Sequence, residues 1–76
     1  MKTMTCRQLG GACDQKFEGN TFEEIVSQSK AHGREMFEKK DEAHLKAMQD
    51  MQRLMQSPEA MQEWMKARRI AFEALP

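Results

Sequence analysis

The first part of the chain alternates between apolar and polar positions, as a β-strand does. Met4 and Cys6 fall on one face of the first alternating run, with threonines on the other. A second run places Cys13, Gln15 and Phe17 on one face and charged side chains on the other. The glycine pair between the two runs is typical of a turn. The pattern predicts a two-stranded β-hairpin, which must pack on another element because an isolated hairpin is marginally stable.

A helical stripe follows the predicted hairpin. Thr21 and Glu24 form a capping box, in which a hydroxyl and a carboxylate satisfy the first free backbone amides. Apolar or small residues then recur at steps of three and four from Phe22 to Phe37. This spacing predicts one helix over residues 22–39, whose apolar face lies across the hairpin.

The rest of the chain predicts two more helices joined by a very short turn. Asp41 is a candidate N-cap, and Ser57-Pro58 restarts a helix with a capping serine and a proline at the first helical position. So short a connection favours an antiparallel helical hairpin. The two apolar stripes of this hairpin are Leu45, Met48, Met51 and Met55, and then Met61, Trp64, Met65, Arg68 and Phe72.

Together these elements predict an α+β fold. An N-terminal two-stranded β-hairpin packs on a helix and is followed by a C-terminal antiparallel helical hairpin. We expect a single domain over residues 1–76, with a ββα unit over 1–40 and a helical hairpin extension over 41–76. A chain of 76 residues buries only about 60% of the surface that its unfolded form exposes, so the core will be thin.

Composition narrows the classes of function. Twelve Lys plus Arg balance twelve Asp plus Glu, and this zero net charge argues against a general nucleic-acid binder. Lys66, Arg68 and Arg69 form a basic cluster beside Trp64, but nearby acids offset it and favour a solvated face. No apolar run approaches the roughly 20 residues that cross a membrane, and no signal-peptide core follows the N-terminus. We therefore expect a cytoplasmic protein with neither a membrane nor a nucleic acid as partner.

Cys6, Cys13 and His32 are the candidate metal-binding residues. Thiols stay reduced in the cytoplasm, so the two cysteines indicate a dithiol, a metal pair or packed core thiols before a disulfide. Six residues separate the cysteines, which flank the hairpin connection, and His32 lies beside the apolar stripe of the first helix. Two thiolates and one imidazole supply three of the four ligands that zinc prefers. The alternatives are buried core cysteines with a surface histidine, and a thiol-redox pair activated by the neighbouring Arg7.

The fourth ligand is not identified by the sequence. His44 lies beyond the break that follows the first predicted helix, and Asp14 points away from Cys13 across its strand. A water molecule or a partner chain would complete the shell. No acid–base pair, Ser/His/Asp set or phosphate-binding loop accompanies the cluster, so we expect no enzymatic activity.

The methionines form a second pattern, with eight in the chain. His32 and Met36 are four residues apart on one helix face, and thioether with imidazole and thiolate suits Cu(I). Methionine at helical spacing is more typical of an adaptable core or of a binding surface. Leu54 and Ile70 fall outside the main stripes, which indicates a homo-oligomer formed through the C-terminal helices, although packing of the hairpin back onto the first helix would use the same surface. The predicted seam of the helical hairpin consists of Met48, Met51, Met55, Met61 and Met65.

A longer motif resembles a known family. The matching residues are Cys6-Arg7-Gln8-Leu9-Gly10-Gly11-Ala12-Cys13-Asp14, then Thr21-Phe22-Glu23-Glu24, then His32. They resemble a bacterial family of small uncharacterised proteins, catalogued as a domain of unknown function and described as predicted small metal-binding proteins. The resemblance implies that Cys6, Cys13 and His32 are the metal residues. Members carry a second histidine five residues after the first, where this chain has Phe37.

Two functions follow from these observations. One is a small binding protein that holds Zn(II) or another soft metal through the two thiols and one imidazole. The other is a metal-free interaction or structural module that self-associates through its methionine-rich amphipathic helices.

Overall fold

The computed structural model describes residues 1–76 and contains two strands and three helices. The strands are β1 (Lys2–Thr5) and β2 (Lys16–Gly19), and the helices are α1 (Phe22–Glu38), α2 (Glu42–Met55) and α3 (Pro58–Glu73). The α+β fold class predicted from the sequence is confirmed. None of the helices combines the length and the apolar character that crossing a bilayer requires.

The helices begin where the sequence places their caps. The Thr21 hydroxyl accepts the backbone N–H of Glu24 at 3.2 Å, and the Ser57 hydroxyl accepts that of Ala60 at 3.3 Å. Each such cap contributes about 1 kcal/mol to helix stability. Lys40 adopts the left-handed region with φ of 56°, and this residue turns the chain from α1 directly into α2.

β1 and β2 pair antiparallel, but their connection is longer than predicted. Met4 lies opposite Phe17 in the ladder, and both side chains are buried. The second strand was predicted to carry Gln15 on the face of Phe17, whereas β2 begins at Lys16 and Gln15 is exposed. The reason is local, because residues 6–15 turn through a short 3-10 helix and a bend, so the alternation there is not that of a strand.

A small apolar core joins the hairpin to α1 and α3. Phe22 and Phe72 meet edge to face with ring centroids 5.9 Å apart, which fixes α3 against α1. α2 contributes no apolar side chain to this core, because its only buried residue is His44. The seven core residues are Met4, Cys6, Leu9, Phe17, Phe22, Ile25 and Phe72.

Two members of the basic cluster make hydrogen bonds within the chain, while Arg69 stays exposed to solvent as the sequence predicts. Arg69 Nη2 donates to Glu23 Oε1 at 2.7 Å, which links α3 to α1. Arg68 Nη1 donates to the Gln8 carbonyl oxygen at 3.0 Å, which links α3 to the loop after β1. These arginines therefore help to position α3.

The predicted methionine seam lines an open groove. Its walls are formed by all three helices, and Val26 and Trp64 lie among the lining residues. Met55 remains 55% exposed. The methionines that line the groove are Met48, Met51, Met55, Met61 and Met65.

Candidate metal centre

The end of β1 delivers Cys6 into the core. Its backbone N–H donates to the Gln15 carbonyl at 2.8 Å, and its carbonyl accepts the N–H groups of Leu9 at 3.0 Å and Gly11 at 2.8 Å. These bonds close the chain into a tight turn and leave the thiol buried, at 5% exposure. A Cβ at Gly11 would overlap the Cys6 sulfur, so the turn requires glycine at this position.

The same loop returns Cys13 beside Cys6. The Cys13 carbonyl accepts the Arg7 N–H at 2.9 Å, and Arg7 Nε donates to Asp14 Oδ1 at 3.1 Å on the exposed side. Asp14 thus pairs outward with arginine, and the half-buried Cys13 thiol is left facing the interior of the molecule.

His32 approaches the thiols from α1. Its Nε2 lies 3.3 Å from Cys13 Sγ. Its ring packs edge-on against Phe17 of β2, with centroids 5.6 Å apart. The contact with a core phenyl ring holds the imidazole in place as α1 crosses the hairpin.

His44 approaches from the first turn of α2. Asp41, the N-cap of α2, accepts the His44 backbone N–H at 3.0 Å through Oδ2, and the same oxygen lies 2.6 Å from His44 Nδ1. With Nδ1 engaged, the imidazole turns Nε2 inward, 3.7 Å from Cys6 Sγ. His44 is 6% exposed, and its ring meets that of His32 at a centroid distance of 5.2 Å.

One donor atom from each of Cys6, Cys13, His32 and His44 lies within 4.8 Å of the other three. A tetrahedral zinc ion, with Zn–S near 2.3 Å and Zn–N near 2.0 Å, separates its ligand atoms by about 3.3 to 3.8 Å. The sulfur–nitrogen distances of 3.3 Å and 3.7 Å in the cluster match that range. The arrangement is therefore able to hold a tetrahedral metal ion.

The local environment shifts the pKa values of the two thiols in opposite directions. Burial raises the pKa of Cys6. Burial also acts to raise the pKa of Cys13, but the backbone amide of Gln15 and the imidazole of His44 more than offset it, so that pKa is lowered. The hydrogen bond to Asp41 raises the pKa of His44, and the same bond lowers the pKa of the Asp41 carboxyl. Cys13 is accordingly the thiol that most readily supplies a thiolate, the form that binds metals.

The sequence of the cluster region identifies a family. Residues 1–41 match the model of a family described as a protein of unknown function (DUF1059). The chain belongs to the DUF1059 family. No curated protein and no solved structure matches it significantly. Cys6, Cys13 and His32 lie inside the DUF1059 match, whereas His44 lies just beyond its end.

All three residues chosen from the sequence come together, and His44 is the donor that sequence reasoning missed. The DUF1059 resemblance directed attention to residue 37, but Phe37 is 62% exposed. Two signals pointed to His44: it is the only other imidazole, and it follows the N-cap Asp41 by three residues, in the first turn of α2. The pattern of apolar and polar residues does not predict the tight turn at Lys40. That turn brings the first turn of α2 back to the cluster.

Proposed function

We propose that this protein binds one Zn(II) ion through Cys6, Cys13, His32 and His44. The observation that carries the proposal is the convergence of four donor atoms within 4.8 Å from three separate parts of the chain. Two thiolates with two imidazoles form a donor set that zinc takes in tetrahedral geometry, and thiolates disfavour hard ions such as Mg²⁺. We place this function in a reducing compartment, where the thiols stay free of disulfides.

Four protein donors are typical of a zinc site that holds its ion rather than of a catalytic zinc site. Catalytic zinc sites keep one position for water or substrate, whereas a set of four protein donors fills the coordination shell. Asp41 supports this role because a carboxylate on the distal nitrogen of a ligand histidine fixes its tautomer and raises its basicity. We therefore propose a structural, storage or exchange role for the bound ion.

Elemental analysis of protein purified without an affinity tag tests the proposal. We expect about one zinc per chain, as four protein donors predict. The Co(II)-substituted protein should show thiolate-to-metal charge-transfer absorption. Replacing His32→Gln should lower the metal content, while Met36→Ala, one turn further along α1 and outside the cluster, should retain it. Metal far below one per chain, unchanged in a Cys6→Ser/Cys13→Ser double variant, would rule the proposal out.

A second candidate function, self-association, is favoured by exposed apolar side chains on the helical part. Phe37 and Met55 are 62% and 55% exposed and border one shared depression, and Ile70 on α3 is 56% exposed. Large exposed apolar groups in clusters are typical of interaction surfaces. Sedimentation of the wild type beside a Phe37→Glu variant tests this candidate. A concentration-independent monomer in both proteins would exclude it.

A further inference from the structure

A cleft of about 130 Å³ opens beside the proposed metal site. Cys6, His32 and His44 form part of its lining, so the cleft gives access to three of the four donors. The loop after β1, α1 and α2 each contribute a wall. The donors are thus reached by a passage from outside, and are not sealed within the core.

Two glycines line the cleft at positions where a large side chain would narrow it. Gly10, at φ of 91°, faces α2, and a Cβ there would lie 2.7 Å from the Met51 methyl carbon. At Gly33, on α1, a Cβ would meet only the Met48 methyl carbon, at 3.9 Å. A larger side chain at residue 33 would therefore enter the space between α1 and α2.

The lining selects for an uncharged guest. Apart from the donors, the walls consist of glycines, apolar side chains such as Leu9 and Met48, and the Ser29 hydroxyl; no Asp, Glu, Lys or Arg is among them. Moving an unpaired ion from water into such surroundings is costly. A cavity of about 150 Å³ holds benzene, so a space of this size suits a molecule of a few non-hydrogen atoms.

We propose that this cleft admits a small uncharged thiol to the donor cluster and that the protein exchanges its metal with such thiols. The inference rests on the proposed zinc function and names the exchange partner of the same site. Sulfur is the donor that competes with thiolate and imidazole for a soft ion. If the site holds zinc, the incoming sulfur would supply an electron pair to the ion in place of one imidazole nitrogen, that nitrogen would take the thiol proton, and nothing would be oxidised or reduced.

A second depression in the surface reaches His32 from its other side. There the depression is lined by charged and polar groups, including Glu35, Lys39 and Gln28. A charged thiol would enter on this side, whereas the cleft beside Gly33 favours a neutral one. The charge of the thiol therefore distinguishes the two routes.

Zinc release from the loaded full-length protein to an excess of coloured chelator tests the inference. The probes are 2-mercaptoethanol and the anionic 2-mercaptoethanesulfonate, compared at equal concentrations of the protonated thiol. We expect the neutral thiol to accelerate release with saturation, at a rate at least about tenfold above that of the anionic thiol, because the cleft cannot solvate a charge. Equal rates, or a faster anionic thiol, would overturn the inference while leaving the zinc site intact. A wild type that binds no zinc would instead overturn the proposed function.

A variant that fills the cleft adds a second readout. Gly33→Leu should slow the thiol-dependent release while zinc content and thiol-independent release stay as in the wild type. Gly33→Ala is the matched control, because its added methyl group makes only ordinary contact and should leave the thiol effect unchanged. Undiminished thiol acceleration in a zinc-loaded Gly33→Leu protein would contradict the cleft route. If that variant fails to hold zinc, the comparison of the two thiols on the wild type decides the question.

Discussion

At the scale of single residues, Asp41 performs two tasks with one carboxylate oxygen. It caps α2 through the His44 backbone N–H and holds the His44 imidazole through Nδ1, at 3.0 Å and 2.6 Å. Because the second contact directs Nε2 toward Cys6, Asp41 positions a donor without touching the proposed ion. The two tasks can be separated by substitution, since asparagine caps a helix as well as aspartate does.

Asp41→Asn should weaken zinc binding about 10- to 100-fold, which is the usual effect of removing a carboxylate partner from a ligand histidine. Helix content by circular dichroism should stay unchanged because the cap is retained. Competition titration with a chelator of known affinity measures the change. Equal zinc affinity in the two proteins would show that the carboxylate does not support His44.

Gly11→Ala should disturb the site more than the fold elsewhere. The added methyl group would overlap the Cys6 sulfur, so the thiol or the turn must shift. We expect a loss of zinc affinity together with a loss of about 1 to 3 kcal/mol in the free energy of unfolding, as overpacking produces.

Gly33→Ala is the control for this prediction, because the same change in the middle of α1 meets only the Met48 methyl carbon at 3.9 Å. It should be neutral or stabilise the protein by up to about 1 kcal/mol through helix propensity. Urea unfolding and zinc titration of both variants make the comparison. Similar losses in the two would contradict the role given to Gly11.

At the scale of elements, the helices differ in how they are held. α1 and α3 meet through Phe22 and Phe72 in the core, whereas α2 buries only His44. Half-buried apolar side chains of α2, such as Met48 and Leu54, also contact the other helices, but none of them belongs to the core. We therefore expect the proposed ion to contribute more to the position of α2 than to that of α1 or α3.

Removing zinc from the full-length protein should release α2 selectively. We expect amide hydrogen exchange to accelerate over Glu42–Met55 while α1 and α3 change less, because local opening follows the number of buried contacts. Mass-resolved exchange before and after chelation measures the effect. His44→Gln with zinc present should resemble the chelated wild type, and equal protection of α2 in all three states would refute the idea.

The ion pair between Glu23 and Arg69 should contribute to stability in a pH-dependent way. The hydrogen bond from Arg69 lowers the pKa of Glu23 in the folded protein. A lowered folded pKa stabilises the protein above the ordinary glutamate value and loses that contribution as the pH falls through the lowered value. The difference in the free energy of unfolding between the wild type and an Arg69→Gln variant should therefore become smaller as the pH falls. The stacking of Arg69 on Phe22 is lost at every pH and does not alter this slope. A pH-independent difference would contradict the prediction.

The elements also show what sequence could and could not predict. Local chemistry specified the helices, because Thr21, Asp41 and Ser57 cap them at the expected places. The hairpin was predicted too tight, because the turn after β1 depends on three backbone hydrogen bonds of Cys6 that leave no side-chain pattern. His44 was missed for a related reason: a left-handed Lys40 sets the direction of α2, and a lysine carries no signal for that conformation.

At the scale of the whole molecule, stability rests on few groups. The core contains seven buried apolar residues, which is a small number for a chain of 76. Chains of this size commonly rely on metals or other crosslinks to hold their fold. The proposed ion would therefore stabilise the entire structure as well as its own ligands.

Zinc should raise the melting temperature substantially. At a free concentration 100 times the Kd, binding adds about 2.7 kcal/mol to the free energy of unfolding when the unfolded chain does not bind the ion. For a domain of this size that corresponds to a rise of about 10 to 20 °C. Thermal unfolding with zinc and with magnesium compares a soft ion with a hard one. A rise with both ions, or with neither, would contradict a thiolate-containing site.

The spacing of Cys6 and His44 along the chain has a consequence for the unfolded protein. Their sequence separation is 38 residues, half the length of the chain, and Cys6 Sγ lies 3.7 Å from His44 Nε2 in the fold. An ion that stayed on both residues during denaturation would tie that half into a ring. Closing a ring of this length lowers the conformational entropy of the unfolded chain, which raises its free energy by a few kcal/mol. A disulfide across the same span would have about the same effect. Such a reversible crosslink would stabilise the folded protein under reducing conditions, without oxidation of either thiol.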